Sequence, residues 1–220
     1  MEIVISDKIK SAAPDYFMVL VEADVTNSVT SDSLWQEIED YSAYLRENVE
    51  LSQVNKRSGI VATRNAYKAC GKDPNRYRPS SEALCRRIVR GMELYKIDTL
   101  VDLVNLLSMK SGYSVSGFDR DKIAGDTLTI SVGEEGEPFE GIGRGPLNIA
   151  GMPVYRDAIG GIGTPTSDNE RTKIDLNTTH AVICIHIYGL DMPVEEAISL
   201  TERLLTQYAA AQNIMVRVVK

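Results

Sequence analysis

The chain has 220 residues, 43% of them hydrophobic and 25% charged, with a formal net charge of −7. That length can bury one substantial core and the composition excludes a disordered chain, so a single domain over 1–220 is expected. No run approaches the roughly eighteen apolar residues of a membrane span. Met1-Glu2-Ile3-Val4-Ile5 lacks a signal-peptide pattern, and the expectation is a cytoplasmic protein with no membrane partner.

Ile3 to Ser6 reads as a short strand, and Tyr16 to Val25 as a longer one that is apolar on both faces. Thr30-Ser31-Asp32-Ser33 offers several N-caps for a helix from about Leu34 to Leu51, striped by Leu34, Ile38, Tyr41, Leu45 and Val49. Trp35 sits beside that stripe and is expected to pack there.

From Lys56 to Lys96 the composition changes, with eleven Lys and Arg against three Asp and Glu. A cationic segment in an acidic chain suits a groove for an anionic partner such as RNA, while solvated helix faces are the alternative. Arg64, Tyr67 and Lys68 fall on a helix predicted over Gly59 to Cys70. Arg76, Tyr77 and Arg78 fall on the D-P-N-R-Y-R-P-S turn, beside a helix capped by Ser80 or Ser81 and running to about Glu93. Guanidinium forks, a stacking ring and free amides suit phosphate and base, although salt bridges to acids elsewhere would use the same groups. Arg86, Arg87 and Arg90 are expected on the solvent face of that helix, since Ala83, Leu84, Ile88 and Met92 take the buried side.

Ile97 to Ile123 is the most structured stretch. Leu100, Val101, Leu103, Val104 and Leu107 form a helical stripe, Asp98 and Thr99 can cap it, and Gly112 ends it in the left-handed conformation. Asp102 and Asn105 share one flank of this helix. The chain continues extended through Tyr113 to Phe118, where Ser114, Ser116 and Phe118 point to one side, with Phe118 anchoring it against a pocket wall.

These residues resemble the tRNA-editing (B3/B4) domain of the beta chain of bacterial phenylalanyl-tRNA synthetase. Its pattern V-D-x-T-N-Y-x-x-x-x-x-G-x-P-x-H-A-F-D-x-D-K is met in register by Val101-Asp102, Asn105, Gly112, Ser116-Gly117-Phe118-Asp119 and Asp121-Lys122. Three positions depart from it. Ser116 replaces a pocket histidine, Tyr95 an upstream arginine, and Cys184 and Ile185 stand where a glutamate is expected.

Thr127 to Val132 is a strand, and the glycine-rich run that follows opens no helix, which excludes Rossmann and P-loop sites. Ala158-Ile159-Gly160-Gly161-Ile162-Gly163 is a second match, similar to the A-G-I-M-G-G of the same family, and it precedes a strand from His180 to Tyr188. His180 and His186 share a face of that strand without further ligands, and Cys70, Cys85 and Cys184 fit reduced thiols, so no metal or cofactor is expected. A helix from Pro193 and a strand from Ile214 to Val219 close the chain.

The expectation is a mixed α/β (α+β) fold of mixed sheets and flanking helices, similar to the editing domain over residues 80–190, with 1–79 and 191–220 as elaborations. The chain carries no aminoacylation motif and no ATP site, and cannot charge tRNA alone. The resemblance implies hydrolysis of mischarged aminoacyl-tRNA in trans, with catalysis resting on positioning and polarisation. Asn105, Ser116, Gly160 and Gly161 would be catalytic, and Tyr95, Gly117, Phe118, Thr164, Thr166 and Ser167 would bind substrate. Arg64, Tyr67, Arg76 and Arg78 would bind the RNA. The three departures favour the alternative, a non-catalytic module that holds RNA or an amino-acid-like ligand.

Overall fold

In the computed structural model, which describes residues 1–220, the elements run β1 (Glu2–Ile5), α1 (Asp7–Ala12), β2 (Phe17–Asp24), α2 (Asp32–Asn48), α3 (Ser58–Ala69), α4 (Ser80–Val89), α5 (Thr99–Ser111), β3 (Ser114–Asp119) and β4 (Thr127–Val132). The second half adds β5 (Glu140–Gly141), β6 (Gly145–Pro146), β7 (Pro153–Arg156), β8 (Gly161–Gly163), β9 (His180–Ile187), α6 (Val194–Ala209) and β10 (Gln212–Val219). One antiparallel sheet has the order β10-β2-β9-β3. The other, β1-β4-β7-β8, pairs β1 and β4 in parallel and the rest antiparallel.

Strand alternation builds three layers from these two sheets. Val19, Val21, Val115, Ile183, Ile185 and Ile187 point from the first sheet into a core shared with α2, α4, α5 and α6. Met18, Leu20, Phe118, Val182 and Cys184 point the other way, against Leu128, Ile130, Tyr155 and Ile162 of the second sheet. The first sheet therefore lies between helices and sheet, which is why β2 and β9 are apolar on both faces. The fold is mixed α+β with mixed sheets and flanking helices.

Local chemistry sets the helix ends. Asp98 accepts a hydrogen bond from the Val101 amide at 2.9 Å to cap α5, and Gly112, at φ 76°, ends it. Ser31 caps α2, which stops at Asn48 because Val49 is already extended. Helix α4 departs from expectation at both ends. Pro79 is its N-cap and no side chain caps it, while the Ser80 amide donates to the Pro165 carbonyl at 2.7 Å, tying α4 to the loop after β8. It ends at Val89, short of Glu93, with Gly91 left-handed at φ 78° just beyond. Asp102 turns inward, where its carboxylate accepts from the Thr30 hydroxyl and the Ile97 amide and anchors the chain entering α5. No helix is long and apolar enough to cross a membrane.

Candidate functional site

β3 is an edge strand, and beside it lies a cavity of about 460 Å³. Helix α5 lines it with Val101, Val104 and Asn105, β3 with Val115 and Gly117, and the loop after β8 with Thr164, Ser167, Asp168 and Ile174. Val101 and Asn105 are one helical turn apart and share a face by the same geometry that turns Asp102 into the protein. The loop is held by Thr164, whose hydroxyl accepts from the Thr166 and Ser167 amides at 3.1 Å and lies 3.0 Å from the Ser167 carbonyl.

Asp168 brings a carboxylate into these mostly apolar walls. Its Oδ2 accepts from the Gly117 amide at 3.2 Å, on the edge of β3. Burial pushes the carboxyl up to about 7, and hydrogen bonds from the Ser116 hydroxyl and the Gly117 amide act in the opposite direction. Gly163 makes room for it, since a Cβ there would stand 2.7 Å from Asp168 Oδ1 and 2.8 Å from the Phe118 ring.

A second recess of about 560 Å³ shares Ser80, Ile97, Val101, Asn105, Ile142 and Ser167 with the first. Arg76, Arg78, Arg86, Arg87, Arg90 and Arg144 line it. Arg78 and Arg86 lie 3.8 and 3.7 Å from the buried Glu82 carboxylate, and Arg87 donates to the Glu93 carbonyl and covers the Tyr95 ring. Arg76, Arg90 and Arg144 form no ion pair. At the junction of the two recesses, the Asn105 amide and the Ser80 hydroxyl make no side-chain hydrogen bond within the protein. A mostly apolar chamber carrying the Asp168 carboxylate thus opens through free polar groups into a guanidinium basin.

A family model described as the B3/4 domain matches residues 62–205. The chain belongs to the B3/4 domain family. Both sequence matches, Val101 to Lys122 and Ala158 to Gly163, fall inside the matched residues. Among solved structures, an N-terminal fragment of the phenylalanyl-tRNA synthetase beta-subunit from Pyrococcus horikoshii is similar at 14% identity with a TM-score of 0.47, over 98% of this chain and 50% of that one. The chain therefore spans half the length of that fragment. No curated protein matches it.

The B3/4 domain brings Asn105, Gly117, Thr164 and Ser167 together at the cavity, and Thr166, Ser167, Arg76 and Arg78 at the basin. Other expected site residues lie elsewhere. Ser114, Ser116 and Phe118 do share a side of β3, but that side faces the second sheet, and Val115 and Gly117 face the cavity. Ser116 is 2% exposed and reaches the cavity through Asp168. Phe118 is fully buried between the sheets. Tyr95 is exposed against Arg87. Arg64 is held by Glu82, the Pro74 carbonyl and Asn75, and Tyr67 is buried with its hydroxyl 2.7 Å from Thr166 Oγ1, so its ring offers no stacking face.

Gly160 and Gly161 line a separate recess with Glu137, Arg156 and Arg171, and the Gly160 amide already donates to Asp157 Oδ1. A Cβ on Gly161 would meet Phe139 at 3.1 Å and Val154 at 3.3 Å. Gly161→Val is accordingly expected to destabilise the fold by about 1–3 kcal/mol through overpacking, read as a lower thermal midpoint. An unchanged midpoint would show that this strand shifts freely. Arg86, Arg87 and Arg90, expected on a solvent face, line the basin, because the loop holding Ile142 and Arg144 forms its opposite wall. Neither Asp168 nor Arg144 stands out in the sequence, since an acid in a polar loop and an arginine in a glycine-rich one have no periodicity to mark them.

Proposed function

We propose that this B3/4 domain binds the 3′ end of a tRNA, with an aminoacyl group in the cavity and backbone phosphates in the arginine basin, and hydrolyses the ester of a mischarged tRNA in trans. The carrying observation is the shared wall, where an apolar chamber and a six-arginine basin meet at Ser80 and Asn105. An aminoacyl ester has the same order of parts, with a side chain, then a carbonyl and ribose hydroxyls, then phosphates. Placed there, the ester meets the free Asn105 amide and Ser80 hydroxyl as donors, and catalysis rests on positioning and polarisation of the carbonyl. In this reading residues 80–190 supply the chamber and the flanking segments are elaborations, and the protein acts in the cytoplasm.

The second reading, a binding module without hydrolysis, is favoured by the position of the histidines. His186 is buried between the sheets and exposed His180 pairs with Asp121, so neither reaches the cavity as a base. Incubating the purified protein with a panel of mischarged tRNAs separates the two readings. Accelerated release of one amino acid supports the hydrolase, and binding without release supports the module. RNA affinity should fall steeply with salt, and replacing Arg76, Arg90 and Arg144 by alanine should flatten the log–log slope by about 2 units, at roughly 0.7 per single-strand phosphate contact. An unchanged slope would remove the basin from the RNA interface.

A further inference from the structure

We propose that Asp168 anchors a primary ammonium group of the ligand, so that the cavity accepts aminoacyl groups with a free α-amine and rejects N-acylated ones. This rests on the reading above and names which aminoacyl esters the site takes.

The cavity is lined by three carboxylates and one ammonium; two of these four charges are ion-paired inside the protein and a third sits at a helix N-terminus. Asp98 caps α5 through the Val101 amide. Asp175 pairs with Lys122 at 2.6 Å, and Lys173 with Glu170 at 2.5 Å. Asp168 forms no ion pair. It receives the Gly117 amide at 3.2 Å with the Ser116 hydroxyl nearby, and no cation of the protein reaches its remaining lone pairs.

An ionised carboxylate among Val104, Val115 and Ile174 without a counter-charge is costly, and the cost falls when a cation arrives. The chain nevertheless accommodates this group, because Gly163 supplies the space a Cβ would fill and the edge of β3 supplies an amide. Burial raises the carboxyl of Asp168, and no counter-charge in the protein offsets it.

The rest of the site indicates where the cation comes from. The arginine basin shares walls with the cavity, so a ligand filling both is anionic at one end and cationic at the other. An aminoacyl ester meets this requirement, since its carboxylate is masked and its ammonium is its only charge inside the chamber. A free amino acid would bring a carboxylate into a cavity whose lysine is already paired, which disfavours retention of the product. N-acylation removes the positive charge and adds bulk.

The test uses hydrolysis-resistant 3′-aminoacylamino-3′-deoxyadenosines carrying a panel of side chains, each with a free amine and N-acetylated, titrated against the full chain and against Asp168→Asn. Uncharged tRNA is titrated in the same preparations. The parent should prefer the free amine by on the order of a hundredfold for the best side chain, in keeping with a desolvated charge pair. Asp168→Asn should erase that preference while leaving uncharged tRNA affinity unchanged.

Equal affinity of the two amine forms for the parent overturns the inference, and that comparison requires no variant. A preference that survives in Asp168→Asn also overturns it, because asparagine keeps the shape and one acceptor oxygen but not the charge. Failure of every free-amine probe to bind overturns it as well. If uncharged tRNA binds while amine discrimination is absent, this inference alone falls; if uncharged tRNA does not bind, the proposed function falls with it.

Discussion

Replacing Glu82 by glutamine is expected to lower the unfolding free energy by about 3 kcal/mol, since one partner of a buried charge cluster is neutralised and the others remain. Glu82 is 1% exposed. Its Oε2 accepts from Arg64 at 2.8 Å, and its Oε1 faces Arg78 and Arg86 at 3.8 and 3.7 Å. One carboxylate thus fastens α3, the turn before α4 and α4 itself. Glutamine keeps the shape, removes the charge and leaves three guanidiniums facing one another. Arg78 is 42% exposed and solvent screens its share, so the expected loss lies at the low end for such clusters. Urea unfolding of parent and variant measures the effect, and a difference below about 1 kcal/mol would show that Glu82 is not a structural hub.

The second large effect is a pH dependence carried by His186. The ring is buried between the sheets, stacks on Tyr155 at 3.8 Å and pairs with the Tyr16 hydroxyl through Nδ1 at 3.0 Å. Its strand neighbours in register are Met18 and Ser114, Tyr188 packs on Tyr16, and no carboxylate contacts it. Burial pushes it down to about 3, against 6.5 for an ordinary histidine. Between those values the unfolded chain binds the extra proton, so the contribution is complete above about pH 6.5 and is lost as pH falls toward 3.

Asp168 and Asp102 act in the opposite sense. Burial raises them to about 7 and about 6, so the folded state holds their protons and they add stability as pH falls toward the ordinary carboxylate range. The parent profile is therefore muted, and the His186→Gln variant exposes the hidden term. The stability difference between parent and variant should shrink by about 2.5 kcal/mol from pH 7 to pH 4.5. Parallel curves would show that the imidazole is not the group protonated on unfolding.

Legibility in the sequence followed the range of the interactions. The α5–Gly112–β3 unit was readable because stripe, cap, left-handed glycine and strand alternation act within a few residues of one another. Alternation also placed Ser114, Ser116 and Phe118 on one side. Which side faces the cavity is a tertiary fact, since β3 is buried on both, and that is where the expectation for Ser116 failed. The short α1, β7 and β8 leave no mark in the sequence because a few residues carry too little periodicity. The cationic segment was visible as composition, but its division into pinned Arg64, shared Arg78 and Arg86, and unpaired Arg76 and Arg90 depends on where one buried glutamate sits.

The position of β2 has a kinetic consequence. This strand is made well before its neighbours β9 and β10, with Val21 opposite Ile183 on one side and Val216 on the other. β1 likewise waits for β4, with Ile3 beside Leu128. Nearly every pairing in the central sheet closes a long loop, which makes assembly slow and leaves the apolar β2 unsatisfied until β9 and β10 emerge from the ribosome. During that interval α2 to α5 can collapse on local contacts alone while β2 remains exposed to wrong partners. The nascent chain is thus expected to depend on a holding chaperone between the synthesis of β2 and that of β9 and β10.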